Sequence, residues 1–333
     1  MGLQFWTIVV ALTLLFSLSV SVFKVVVSAD QDLVQNLGLE VLPDVSKINI
    51  SQEEYSRMMK TYLVHLVDSS GENSIPQLLT FVAERKHWRR KIDQGIRLTF
   101  AVTPSSAEVE QGELRLLLPP MEKTSPRIQV FQILGVRRRK LIHEGIAYGS
   151  STQPKWHEID VTAAVRSWIN GNRNLGLEIE CSDCTKIVNP LHTYLNVLVH
   201  TDLKRRRRSH SSTYEQEGKT DCRPKDKKRR CCRHSMTVVF SKLKVPQINS
   251  IIQPKSYEAG FCKGRCPLNY NLATNHSRIQ SLVHRVDKSN VPKVCCAPSK
   301  LAPLDILRVN PYDVTKLTVE KWDNMKVLEC ACS

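Results

Sequence analysis

The 333-residue sequence predicts a mainly β chain in two parts, an α+β unit followed by a small disulfide-rich domain. Three observations carry this. Nine of the eleven cysteines fall between Cys222 and Cys332, and a small domain with little core needs covalent bracing. Short β-rich runs separated by turn residues recur from Gly95 to His200, with few helical stripes among them. Between the parts lies Lys204-Arg205-Arg206-Arg207-Arg208. Five consecutive cations cannot pack in a core, so the chain there is exposed and extended.

The cysteine ladder reads Cys222, the pair Cys231-Cys232, Cys262-Lys263-Gly264-Arg265-Cys266, the pair Cys295-Cys296, and Cys330-Ala331-Cys332. Nine is an odd number, and an odd cysteine in a secreted chain points to an intermolecular bond. Zinc is the rival use of clustered cysteines, but adjacent pairs are poor metal spacing and no C-x-x-C…C-x-x-C array is present. The ladder resembles the cystine-knot ligand domain of the transforming growth factor β (TGF-β) superfamily. The nearest branch is the activin/myostatin-like one, invertebrate activin-like ligands included. The resemblance implies bridges Cys222–Cys232, Cys231–Cys296, Cys262–Cys330 and Cys266–Cys332, with Cys295 joining two protomers. On these pairings two short segments close a ring that Cys231–Cys296 threads. Gly264 then sits at its narrowest point, where a side chain would obstruct and a positive φ costs glycine little. Each long-loop bridge would contribute about 4 kcal/mol in the chain-entropy model. The resemblance also implies two β fingers with one wrist helix, preceded by a propeptide with a helical straitjacket and a β-sandwich-like arm domain.

Taken in order, residues 1–29 read as a signal peptide. Phe5 to Phe23 is apolar, and Val27-Ser28-Ala29 supplies small residues before Asp30. The run nears bilayer length, so a signal anchor is the alternative. Either way the remainder enters the secretory lumen, where disulfides form. The expected propeptide is 30–208. Asp32 to Leu39 is a short amphipathic piece. Ser51 to Leu66 reads as a helix, because Tyr55, Met58, Met59, Tyr62, Leu63 and Leu66 recur at three and four. Such a stripe is ordinarily core. In the family the same region wraps the ligand over a receptor surface, and both readings stand.

From Gly95 the pattern turns to strands: Ile96–Val102, Glu113–Leu118, Ile128–Leu134, Leu175–Glu180 and Tyr194–His200. One helix interrupts them, with Asp160 as cap, Val161, Ala164, Val165 and Trp168 on one face, and Gly171 as stop. The passage Trp156 to Thr162 followed by Trp168 resembles the arm domain, placed at about 95–200. Cys181-Ser182-Asp183-Cys184 resembles the C-x-x-C of activin-type propeptides. No thioredoxin-like βαβ pattern surrounds it, so a local Cys181–Cys184 disulfide is favoured over a redox motif.

Arg205-Arg206-Arg207-Arg208 satisfies R-x-[KR]-R, the pattern cut by furin-like convertases. Cleavage after Arg208 would free Ser209 and release 209–333. A nuclear localisation signal or polyanion patch is the rival reading, and the signal sequence upstream favours processing. A second basic run, Lys225 to Arg230, is a weaker cleavage match. Its Lys225, Lys227, Lys228, Arg229 and Arg230 read mainly as a surface for heparan sulfate, with a plain solvated loop as the alternative. Beyond Arg208 basic residues outnumber acidic ones two to one. No nucleic-acid motif accompanies that charge.

Within 209–333, Met236 to Phe240 reads as the first finger strand. Ile279, Leu282, Val283 and Val286 mark a helix, with Asn275 or Ser277 as cap. It matches the wrist helix, which in family dimers packs on the partner; an ordinary core-facing helix is the alternative. Leu301 to Leu307 resembles the segment that carries type II receptor binding, which transfers that role to Ala302, Pro303, Leu304 and Leu307. Apolar residues on so thin a finger are expected to remain partly exposed. The family's two tryptophans at the type I site are replaced by Ile248 and Ser250, and Pro246 argues against a regular strand there. The sequons Asn49-Ile50-Ser51 and Asn275-His276-Ser277 are candidate glycan sites.

No catalytic motif appears: there is no HExxH, G-x-S-x-G or phosphate-binding loop. No enzyme activity, metal or cofactor is expected. The family reading implies a secreted homodimer, or heterodimer, that gathers type I and type II serine/threonine kinase receptors of the activin/TGF-β kind. Those receptors start a Smad cascade. Its own propeptide and follistatin-like binders are further implied partners. The rivals are a receptor-binding antagonist and a cationic matrix or host-defence protein.

Overall fold

The computed structural model describes residues 37, 39, 41–70, 74–85, 95–121, 126–181, 184–202, 221–222, 230–243 and 245–333. The signal region, Arg205–Ser209, and the Lys225, Lys227, Lys228 and Arg229 positions lie outside the described residues. Among the described residues no helix is long and apolar enough to cross a membrane. The chain forms two compact units. One is Asn49–Ser211, and the other joins Ser212–Ser333 with the residues before Asn49.

In the first unit α1 (Gln52–Ser70) begins where the Ser51 hydroxyl accepts the Glu54 N–H at 3.1 Å. Then come β1 (Ser74–Val82), β2 (Glu84–Arg85), β3 (Gly95–Thr99), β4 (Glu108–Leu118), β5 (Arg127–Ile133), β6 (Arg139–Ile146) and β7 (Lys155–Asp160). They are followed by α2 (Thr162–Ile169), β8 (Leu177–Glu180), α3 (Cys184–Ile187) and β9 (Thr193–Asp202). Two antiparallel sheets result, ordered β1-β9-β4-β7 and β2-β3-β8-β5-β6. Their inward residues share one core: Leu114, Leu116 and Leu118 from β4 meet Ile128, Val130, Leu177 and Ile179 of the other sheet. α2 adds Ala164, Val165 and Trp168. The Asp160 carboxylate accepts the Thr162 N–H at 2.8 Å, and Gly171 ends the helix at φ +95°.

The other face of β4 carries charge. Arg115 is fully buried, donating to the Ile50 carbonyl at 2.7 Å and to Gln52 at 3.1 Å. Its guanidinium lies over Tyr55 and Trp156 and pairs with Glu158 at 3.2 Å. Tyr55 donates to Glu113 at 2.9 Å, and burial together with that carboxylate holds its hydroxyl well above the usual phenol range. Tyr55, Met59, Tyr62 and Leu63 are buried. At its first turn α1 packs within its own unit, where the polar cluster fixes Gln52 and Tyr55 to β4 and β9.

The second unit contains β10 (Cys232–His234), β11 (Thr237–Val239), β12 (Ile251–Gln253), β13 (Ser256–Glu258), β14 (Phe261–Lys263), α4 (Asn275–Val286), β15 (Cys296–Val309) and β16 (Leu317–Cys332). β15 and β16 form a long hairpin, and β12 adds to β15. β11 pairs with β13 and β10 with β14. Residues Pro246–Ser250 form a 3-10 turn with the proline at its start, where the missing N–H costs no hydrogen bond. The cap of α4 is Thr274, not Asn275 or Ser277. Thr274 and Ser277 form a reciprocal capping box, which places Ser277 at the third helical position.

Candidate functional site

The centre of the second unit is covalent. Cys222 is bonded to Cys232, Cys231 to Cys296, Cys262 to Cys330 and Cys266 to Cys332, the same four pairs the resemblance implies. β14 leads from Cys262 toward Cys266, and the end of β16 supplies Cys330 and Cys332, so two bridges close a ring. The third bridge passes between the two segments. The Cys231 N–H donates to the Arg265 carbonyl at 2.9 Å, and the Cys231 Sγ lies 3.5 Å from the Ala331 carbonyl oxygen. Gly264 stands at φ +139° against this passing chain. A Cβ there would lie 2.2 Å from the Arg230 oxygen and 2.6 Å from the Cys231 nitrogen. The sulfurs of Cys231, Cys266 and Cys332 lie within 4.8 Å of one another. All three are spent in disulfides, so they offer a metal no thiolate.

Cys295 is exposed and the one free cysteine among the described residues. Its backbone is held rigidly: its N–H donates to the Ser333 carbonyl at 2.7 Å, and Ser333 returns the bond at 2.9 Å. α4 precedes it and is turned inside out. Ser277 and Ser281 are its buried residues. Gln280 donates to the Pro292 carbonyl at 3.0 Å, and the His284 ring nitrogen bonds the Val291 carbonyl at 2.7 Å. These bonds anchor the polar side to the segment leading to Cys295. The apolar stripe faces outward, with Ile279 58%, Leu282 45%, Val283 41% and Val286 90% exposed. The core-facing alternative fails for this helix.

The finger sheet is thicker than expected. Leu304 stands opposite Trp322 in the β15–β16 register. Both pack with Ile306, Phe240, Ile248 and Ile251. Ile248 and Ser250 are buried, so neither is an open contact surface in this chain. The exposure expected of Leu304 and Leu307 does not hold: they are 2% and 0% exposed. From Leu304 to Val309 every residue of β15 is buried, and β12 lies along one edge there. Of the four transferred positions only Ala302 and Pro303 are half-exposed.

A family model described as "Transforming growth factor beta like domain" matches residues 230–332, and one described as "TGF-beta propeptide" matches 44–208. The chain belongs to the TGF-β superfamily. Among curated proteins it is 28% identical over 284 residues to "Bone morphogenetic protein 4" of Mus musculus, covering 75% of this chain and 62% of that protein. It is 30% identical over 205 residues to the "Transforming growth factor beta-1 proprotein" of Mus musculus, covering 54% and 51%. "Bone morphogenetic protein 2" of Tetraodon nigroviridis is 28% identical over 243 residues, covering 62% and 56%. The chain spans less than two thirds of the length of these relatives.

With the TGF-β propeptide and TGF-β-like domain both present, one contact gains meaning. Leu39, from the propeptide side of the basic run, is 1% exposed within the finger cluster, and Leu37 packs beside it. The amphipathic run 32–39 signalled a buried stripe, but nothing in it named the receiving surface. Cys181 is buried and disulfide-bonded; the Cys184 side chain lies outside the described residues. Asn275 is exposed. At Asn49 the amide nitrogen that a glycan would occupy donates to the Pro154 carbonyl at 2.9 Å, and the side-chain oxygen accepts from the Trp156 N–H at 3.1 Å. The Arg230 carbonyl lies against Gly264 and the next residue, Cys231, is buried.

Proposed function

We propose that the protein is a secreted growth-factor precursor, cut after Arg208, whose fragment 209–333 acts as a dimer joined through Cys295. The observation that carries this is α4, whose polar side is anchored and whose apolar stripe is exposed just before a free, rigidly held cysteine. An apolar helix face of this kind calls for a partner, and a second copy brings an identical cysteine with it. Each protomer then presents one set of surfaces, so the dimer gathers two type I and two type II receptor kinases and starts a Smad cascade. Bivalence raises apparent affinity without new contacts. The mechanism is binding, without catalysis.

On this reading Ala302 and Pro303 belong to the type II surface. The type I surface lies around Ile248 and the partner's helix. Leu37 and Leu39 pack beside Ile248, so the propeptide covers that surface in the precursor. The branch reading is activin/myostatin-like, supported by the Cys222–Cys232 bridge and the bonded Cys181. A receptor-binding antagonist is the second reading. It is favoured by Ile248 and Ser250, which offer no aromatic contact where the family carries two tryptophans.

The test uses conditioned medium from cells expressing the full chain, applied to reporter cells for the two Smad branches. Activation of the activin/TGF-β reporter, abolished by a soluble type II receptor ectodomain, is the expected result. Receptor capture with block of added ligand and no activation would favour the antagonist. Neither capture nor activation by a cleaved dimer contradicts both.

A further inference from the structure

β6 and β7 are consecutive in the chain, yet each closes a different sheet of the propeptide unit. β6 is the outer strand of the five-stranded sheet and β7 of the four-stranded one. Each turns one histidine inward. His157 stands opposite Leu116 in the β4–β7 register, two residues before Ile159, which stands opposite Leu114. Leu114, Leu116 and Ile159 all belong to the core, so the His157 ring lies on the core side of its strand. His143 stands opposite Val130, a fully buried member of the same core. Gly145 leaves room for its ring: a Cβ there would lie 2.9 Å from the His143 Nε2.

Both rings are half-buried. Such a place costs a histidine little while it is neutral and more once it is charged. Burial holds the His157 imidazole below its ordinary value of 6.5, and the charge of His143 lowers it further. Glu158 on its own strand opposes the shift and Lys155 adds to it. Glu158 is already engaged by Arg115 at 3.2 Å, on the other face of the β4–β7 pair.

β7 also holds the start of α1. The backbone N–H of Trp156 donates to the Asn49 side-chain oxygen at 3.1 Å, and the Asn49 amide donates to the Pro154 carbonyl at 2.9 Å. Through Glu158, β7 steadies the Arg115 guanidinium that bonds the Ile50 carbonyl and Gln52. β7 is itself paired with β4 alone, so loss of that pairing frees the whole clasp.

We infer that His143 and His157 form an acid-sensitive latch: protonated together, they place two cations on the core side of the outer strands, loosen β7 from β4, and release residues 49–52. The direction follows from linkage. The folded chain keeps His157 neutral where the unfolded chain takes up a proton, so this region loses stability as pH falls below 6.5. The loss is complete once pH is below the lowered value of His157. Every residue involved lies within Asn49–Ser211, so the inference stands apart from the receptor reading.

The test is hydrogen exchange of the full secreted chain at about pH 7.4 and about pH 5.5, corrected for the intrinsic pH dependence of exchange and read peptide by peptide. Wild type is compared with H143Q/H157Q and with H200Q, which removes the surface His200–Glu110 pair at 2.6 Å. At the lower pH, wild type is expected to lose protection several-fold over residues 155–160 and 49–55, while β8 and β9 keep theirs. H143Q/H157Q should hold its protection at both pH values, and H200Q should respond as wild type does. Unchanged protection in wild type overturns the latch. So does a loss that persists in H143Q/H157Q, which would assign it to the carboxylates of Glu113 and Glu158. A response abolished in H200Q, or a loss spread evenly over the unit, also contradicts it. If H143Q/H157Q is not secreted, H157Q alone carries the same comparison.

Discussion

A methyl group at position 264 would meet the Arg230 carbonyl oxygen at 2.2 Å, backbone against side chain, at a φ that L residues avoid. Neither segment can give way, because both are held by bridges. Gly264→Ala is therefore expected to block formation of the threaded bridge, giving scrambled or retained product on non-reducing gels in place of secreted protein. Arg115 is the corresponding point in the propeptide unit. Arg115→Ala strips a fully buried cation from Glu158, Gln52 and the Ile50 carbonyl. The expected cost is about 3–5 kcal/mol, read as a lowered denaturation midpoint of the purified chain. The sequence could not show Arg115 as buried, since an arginine between leucines in a strand reads as the solvent-facing half of an alternation. Gly264 was legible only once the family resemblance supplied the pairings. Leu304 and Leu307 were misread because the depth of the finger sheet depends on segments distant in sequence, Leu39 among them.

α4 shows how periodicity finds an element without giving its orientation. The stripe Ile279, Leu282, Val283 and Val286 marked the helix correctly, yet its serines face inward and its aliphatic side chains face out. Hydrophobic pattern alone cannot separate a core from an interface. The pair Ile279→Glu and Val286→Glu is expected to leave the monomer folded with its four intrachain bridges. It should reduce the Cys295-linked dimer to a minor species on non-reducing gels. In the propeptide, five strands were visible as β-rich runs. β1, β2, β6 and β7 were not, because proline interrupts the first, β2 is only Glu84–Arg85, and charged residues fill much of the other two. β6 lies at a sheet edge, where charge guards an unpaired rim. Leu39 is a test at the same scale. After cleavage, Leu39→Asp should weaken retention of propeptide by ligand about ten- to hundredfold in co-precipitation. Unchanged retention would show that the finger cluster does not hold the propeptide.

At the scale of the whole chain, a TGF-β propeptide and a disulfide-knotted TGF-β-like domain share one polypeptide, with a basic run between them in the sequence. Composition and the cysteine ladder made this division readable, with a net charge of +16 concentrated toward the C-terminal half. The contact of Leu37 and Leu39 with the finger was hidden, since it joins residues some two hundred positions apart. Arg208→Ala is expected to leave the secreted product uncleaved, with its receptor activity lost or strongly reduced in the reporter assay. The most direct test of the account is the mass of the secreted product, reduced and non-reduced, for wild type and Cys295→Ser. The account predicts a wild-type species of twice the 209–333 fragment mass that collapses to a single fragment on reduction, and a monomer throughout in the variant. An uncleaved monomer in wild type, unaffected by the substitution, would contradict both processing after Arg208 and the Cys295-linked dimer.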